Sequence, residues 1–217
     1  MLFEITKRII DIVCASVLLI IYSPVMLITA LLIKLTSPGP VLVEKTNKHM
    51  KRVGKDGKIF RLYKFRSMVV KADKLLETDP KYREAYKERH TKGNYKIMND
   101  PRTTKIGKFI RKFSIDESPQ FLNVLKGDMS IVGPRPYLAE ELEEQTAKFP
   151  GTEGYVKEMH GVKPGITGYW QVSGRSDVKF DKRIMMDAYY ARKKSILLDI
   201  LILLKTPWVV ITGRGAA

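Results

Sequence analysis

Asp116 and Glu117 are adjacent carboxylates set among cations, with Arg111 and Lys112 before them and Lys126 and Arg135 after. Pro119 suits the first position of a helix and Ser118 its N-cap. The sequence therefore predicts a helix over residues 119–125, ended by Gly127, with both acids at its N-terminus. Gly133-Pro134-Arg135-Pro136 is a stiff turn, because two prolines fix φ, and such a turn can hold one Arg in place. Carboxylates surrounded by guanidinium and ammonium groups suggest chemistry on a phosphorylated substrate, with a divalent metal. A structural reading competes. Ser114-x-x-Glu117 fits a capping box whose acids serve the helix dipole. It would put Pro119 at the fifth helical position, where its ring clashes with the preceding turn.

Two further stretches offer phosphate-binding cations. Residues 59–68 alternate as a strand, so Phe60, Leu62, Lys64 and Arg66 share a face and the two cations could grip phosphate together. The alternative is a solvated edge guarded by basic residues. Residues 162–175 hold Gly165, Gly168, Gly174 and Arg175. Backbone amides there could admit a nucleotide while Arg175 binds phosphate. The alternative is a structural turn with Tyr169 and Trp170 in the core.

The elements that must position these groups begin with a membrane segment. Residues 9–35 form a long apolar run that contains one acid, Asp11, with Lys34 near its end. Spanning a bilayer takes roughly 20 such residues. Ser23-Pro24 lies mid-run. Pro24 removes a helix hydrogen bond, so a break is expected there, with Ser23 bonding back to the freed carbonyl. Lys7 and Arg8 precede the run, and Lys45, Lys48, Lys51, Arg52, Lys55 and Lys58 follow it. The positive-inside rule then claims both ends for the cytoplasm, which a helix that enters and returns satisfies. A straight single span is the simpler rival. A cleaved signal peptide is disfavoured, because the apolar core is too long and no small-residue site follows.

Thr36-Ser37-Pro38-Gly39-Pro40 stops the run. A short strand is expected over 41–43, a basic loop over 46–58, and two polar helices over 69–77 and 81–90 in a solvent-facing insertion. Ile106, Phe109, Ile110 and Phe113 recur at helical spacing among Lys105, Lys108, Arg111 and Lys112. That is an amphipathic basic helix suited to an acidic membrane surface. An acidic helix over 137–148 reads as a solvated face, and a helix over 180–194 follows. A last apolar segment, 195–212, is interrupted by Asp199, Lys205 and Pro207. It belongs in the interface or against the core.

The chain has 217 residues and a formal net charge of +16, so an anionic partner is expected: nucleic acid, acidic lipid or a phosphorylated ligand. One cysteine, Cys14, excludes an internal disulfide and a multi-Cys zinc site. His49, His90 and His160 lack ligand spacing. The basic residues punctuate apolar faces and turns and form no aromatic-interleaved groove. A membrane-tethered nucleic-acid binder or a scaffold is therefore the lesser reading.

The chain resembles the bacterial sugar transferases, monotopic polyprenyl-phosphate phosphoglycosyl transferases of the hexose-1-phosphate type. The resemblance is carried by residues 7–11, 36–41 and Tyr63-Lys64-Phe65-Arg66-Ser67-Met68. It continues through residues 114–136 and Lys163-Pro164-Gly165-Ile166-Thr167-Gly168, with Gln171, Gly174 and Arg175. Ser118 stands where the family often has Leu, which leaves the carboxylates and proline intact. The resemblance implies an α+β, mostly helical protein. A re-entrant membrane helix over residues 1–36 breaks at Ser23 and Pro24. A cytosolic, membrane-associated catalytic domain over 37–217 carries a short β-hairpin and amphipathic interfacial helices. It implies that Asp116 attacks a UDP-sugar, UDP-glucose or UDP-galactose, and expels UMP. Polyprenyl phosphate would then resolve the phosphosugar–aspartyl intermediate. Mg²⁺ would be held by Glu117, with Lys64, Arg66, Arg111, Arg135 and Arg175 on the substrate phosphates. The implied location is the cytoplasmic face of a bacterial inner membrane. The expected partners are anionic lipids and a second copy of the chain, and not nucleic acid.

Overall fold

The apolar run forms α1, Leu2–Thr36, in a computed structural model that describes residues 2–43, 47–91, 100–174 and 178–212. The helix is not interrupted at Ser23-Pro24: Pro24 lies inside it. Its missing N–H orphans the carbonyl of Ile20, and Ser23 Oγ donates to that oxygen at 2.8 Å. Both halves of α1 pack on the rest of the chain. Asp11 and Ala15 are buried in the first half, and Thr29 and Ile33 in the second, each pair one turn apart. Between them every residue from Ile20 to Val25 is exposed. Tyr22 keeps an edge contact to the Phe121 ring at 5.8 Å.

After α1 the expected strand at 41–43 is reduced to a bridge, Leu42 with Phe65. The hairpin forms further on. β1, Lys51–Val53, pairs antiparallel with β2, Ile59–Arg61, across the Gly54-Lys55-Asp56-Gly57 turn. Two short helices follow, α2 (Ala72–Thr78) and α3 (Arg83–Thr91), around a small core of Leu76, Tyr82 and Ala85. Asp100 and Arg102 form a buried ion pair at 2.6 Å, and Arg102 also donates to Ala72 O, which ties this region back.

α4, Lys105–Lys112, starts at Thr104, whose hydroxyl accepts from Gly107 N at 2.9 Å. Its apolar positions divide. Ile110 is buried with Phe65 and Ile33, whereas Phe109 and Phe113 are exposed and pack on each other at 5.1 Å. A 3₁₀ turn over Ile115–Gln120 leads into α5, Phe121–Lys126, which ends at Gly127 with φ 90°. β3, Ser130–Val132, pairs in parallel with β4, Gly165–Thr167, and between them lie α6, Ala139–Lys148, and α7, Glu153–Met159. α8, Phe180–Lys193, and α9, Ile196–Thr212, close the chain, with Pro207 inside α9.

The main core joins Val124, Met129, Ile131, Val132, Tyr190 and Ile202, with Cys14, Leu18 and Leu19 of α1 packed against it. Each such side chain contributes about 1.5–3 kcal/mol on burial. Polar contacts fix α1 to the same core. Asp11 accepts from Ser130 Oγ and Ile131 N. Arg8 donates to the carbonyls of Val124 and Leu125, capping α5. Lys7 meets Asp199 at 2.6 Å. α9 is divided: Ile202 is buried in the core, and Leu197, Leu201, Leu204 and Trp208 are exposed.

Candidate active site

The segment after β2 is held at two points. Tyr63 N donates to Asn123 Oδ1 at 2.9 Å, and the same amide donates from Nδ2 to Arg61 O. Two residues on, Phe65 N donates to Asp116 O at 2.9 Å. Lys64 lies between these anchors and is aimed at the carboxylate pair. Its Nζ is 2.9 Å from Asp116 Oδ2 and 3.1 Å from Glu117 Oε1.

The acids stand on the 3₁₀ turn and not before a helix. Neither capping expectation describes the local geometry. Ser118 Oγ donates to Ile115 O, and Ser114, at φ 54°, makes no side-chain cap bond. The tighter turn accepts Pro119, which a regular helix would have resisted at that point. It also sets the two carboxylates in different surroundings: the Asp116 side chain is 4% exposed and that of Glu117 is 43%.

Charge in the site is unevenly shared. Burial pushes the Asp116 carboxyl above its ordinary value, Lys64 opposes this and Glu117 adds to it. Burial alone would lower the Lys64 ammonium, but Asp116 and Glu117 raise it above its ordinary value, so it stays charged. Arg111 acts on both, and its NH1 donates to Thr103 Oγ1 at 3.1 Å. Arg135 lies within electrostatic reach of Glu117, beside Glu141 and Tyr137.

Arg66 is not brought to this cluster. It is 4% exposed and donates to Pro38 O, to Ile33 O, and to the carbonyl and hydroxyl of Ser37, capping the end of α1. Regular strand ends at Arg61, so the two-residue alternation that would align Lys64 with Arg66 has already lapsed. Arg175 lies outside the described residues. Gly168, before it, is required by packing. A Cβ on Gly168 would lie 2.2 Å from Gly133 O, and one on Gly133 would lie 2.4 Å from Lys163 O. Backbone against backbone, this contact braces the turn that carries Arg135. Trp170 is buried, as its structural reading expects.

Sequence reasoning missed Arg52 and Glu141. Arg52, in the middle of β1, acts on Glu117 and Arg135. Glu141 was expected on a solvated face but is buried beside both arginines. Its only sequence signal was its place on α6, one turn after the Arg135 loop.

The profile of the family described as bacterial sugar transferase matches residues 2–213. The chain belongs to this family. It is 44% identical over 214 residues to an undecaprenyl-phosphate galactose phosphotransferase of Salmonella typhimurium, covering 97% of this chain and 41% of the relative. It is 42% identical over 215 residues to a UDP-glucose:undecaprenyl-phosphate glucose-1-phosphate transferase of Escherichia coli, again covering 97% and 41%. An exopolysaccharide production protein ExoY of Rhizobium meliloti is 38% identical over 213 residues, covering 97% of this chain and 87% of the relative. The chain thus spans about two fifths of the first two family members and most of the third. The matched residues 2–213 take in Lys64, Asp116, Glu117 and Arg135.

Proposed function

We propose that this protein transfers a sugar 1-phosphate from a UDP-hexose, UDP-glucose or UDP-galactose, to a polyprenyl phosphate such as undecaprenyl phosphate, releasing UMP. The observation that carries the reading is the buried carboxylate of Asp116 joined through Lys64 to the open carboxylate of Glu117. A carboxylate is a weak nucleophile toward an anionic diphosphate unless the charge between them is neutralised. Lys64 and Arg111 supply that neutralisation from the Asp116 side, and Arg135 from the Glu117 side. Asp116 attacks the sugar-bearing phosphorus, the anhydride bond breaks, and the bridging oxygen leaves with UMP. The acceptor phosphate then attacks the aspartyl phosphosugar and restores the carboxylate. Two steps let a soluble donor and a lipid acceptor use one centre in turn.

The donor set fits a magnesium ion. Mg²⁺ is commonly held by one or two carboxylates with substrate phosphates and water completing the shell. Among the described residues no group of three or more His, Cys, Asp or Glu side chains assembles, so phosphate oxygens must contribute. Glu117 would hold the ion, with Asp116 adjacent. When bound, it would supply charge neutralisation at the diphosphate.

The same reading sets the protein on the cytoplasmic face of a bacterial inner membrane. Both halves of α1 are tied to one body, while residues 20–25 around Pro24 are exposed on every side. A kink at Pro24 within the continuous helix would let it dip into the bilayer and return, which fits both conditions. Phe109 and Phe113 of α4 and the exposed leucines of α9 would rest in the interface.

The test is UMP release from UDP-glucose and UDP-galactose with Mg²⁺ and polyprenyl phosphate. Wild type should turn over, and Asp116→Asn should lose at least about three orders of magnitude while still sedimenting with membranes. Comparable UMP release by the variant would reject Asp116 as the nucleophile.

A further inference from the structure

Arg52 and Arg135 form an arrangement that the fold alone does not explain. Both guanidiniums are partly buried, they stand close enough to repel each other, and Nε of each is buried without a hydrogen-bond partner. Val53 N donates to Tyr137 O at 3.0 Å, which sets β1 beside the Arg135 turn, and Glu141 and Glu117 attract both guanidiniums. A buried guanidinium N–H without an acceptor costs stability unless a ligand oxygen completes it. Burial and the neighbouring Arg135 depress the Arg52 guanidinium to about 10 against the pull of Glu141 and Glu117, whereas the same acids hold Arg135 above its ordinary value.

The cations around the dyad fall into two sets. Arg111, from the end of α4, acts on Asp116 and Lys64. Arg52, from β1, and Arg135, from the turn after β3, act on Glu117. In an in-line displacement the leaving oxygen departs from the face of phosphorus opposite the attacking Asp116 oxygen. The cations that act on Glu117, the other acid of the pair, are then set to meet the departing group.

We propose that Arg52 and Arg135 form a phosphomonoester subsite that holds the nucleotide phosphate of the donor and retains it, as UMP, after the anhydride bond breaks. Asp116 forms the new P–O bond, and the bridging oxygen keeps the electron pair and becomes the third terminal oxygen of UMP. The extra negative charge appears on that phosphate, which is where two guanidiniums with open Nε–H groups stabilise it most. Arg52 is thereby a substrate-contacting residue, drawn from a hairpin that otherwise looks purely structural. This inference rests on the function proposed above.

Its test measures UMP binding directly, by calorimetry on the full chain in nanodiscs with Mg²⁺, for wild type, Arg52→Gln and Arg52→Lys. Arg52→Gln should weaken UMP at least about tenfold, and Arg52→Lys should recover part of the loss, because a point charge replaces a planar fork. Thermal melting without nucleotide should be unchanged or raised in Arg52→Gln, since a cation disfavoured by burial and by Arg135 is removed. UMP affinity unchanged in Arg52→Gln would overturn the subsite, as would a lowered melting temperature with intact binding, which marks a structural role. A wild type that binds UMP but never releases it from a UDP-sugar would instead contradict the parent function. The two failures are therefore distinguishable.

Discussion

Asp116 and Glu117 are neighbours in sequence with opposite exposures, and their roles follow from that difference. The buried one is poised to attack and the open one to meet a cation. In metal-free protein, burial and Glu117 together should make Asp116 titrate above its ordinary 3.8. Removing the neighbouring charge with Glu117→Gln should move that midpoint down, because a like charge no longer opposes ionisation. Carboxyl-carbon NMR of selectively labelled protein reads the shift; a midpoint that rises would contradict the arrangement. At this scale the dyad, Lys64, Arg111 and Arg135 were all legible from residue type and local spacing. Arg66 misled, because it belongs to an alternation that ends at Arg61. Arg52 was illegible for a different reason. It is one of 39 basic residues, and a long-range backbone bond, Val53 N to Tyr137 O, sets its strand beside the Arg135 turn.

Elements act mainly by holding backbone in place. α4 can deliver Arg111 only because Gly107 lets it lie against the Ser67 carbonyl: a Cβ there would sit 1.9 Å from that oxygen. Gly107→Ala should therefore destabilise by about 1–3 kcal/mol. It should also lower turnover, because Ser67 follows Lys64 by three residues and must move. Denaturant unfolding and UMP release measured together check this, and a neutral variant would contradict the packing. The apolar run located α1, the Thr36-Ser37-Pro38-Gly39-Pro40 stop ended it and helical spacing located α4, but the continuity of α1 through Pro24 was not readable. The parallel pairing of β3 with β4 was not. Its partners are separated by two helices, and each strand has only three residues. The Ser118 and Ser114 caps also failed, since a 3₁₀ turn uses the same residues with other bonds.

For the whole molecule, the +16 charge and the exposed apolar residues of α1, α4 and α9 bear on one question, which side of a bilayer each end of α1 meets. In a Cys14→Ala background, single cysteines at Phe3 and Ser37 should both be labelled from the cytoplasmic side and neither from outside. Labelling on opposite sides would reject the returning helix. Phe109→Glu with Phe113→Glu should weaken adsorption of the domain surface to anionic vesicles, most at high salt, where charge no longer compensates for lost apolar contact. The double change should leave α1 inserted, so sedimentation would persist while protection of α4 from protease is lost. Equal protection in the variant would remove α4 from the interface.

Everything proposed for the chemistry depends on a bond between one side chain and a sugar phosphate. Intact and peptide mass spectrometry of protein quenched after mixing with UDP-glucose or UDP-galactose and Mg²⁺, without acceptor, tests it most directly. The predicted result is a hexose-phosphate adduct on the peptide containing Asp116, discharged when polyprenyl phosphate is added. A preparation that turns over donor and acceptor at full rate yet carries no adduct at Asp116 would contradict the account.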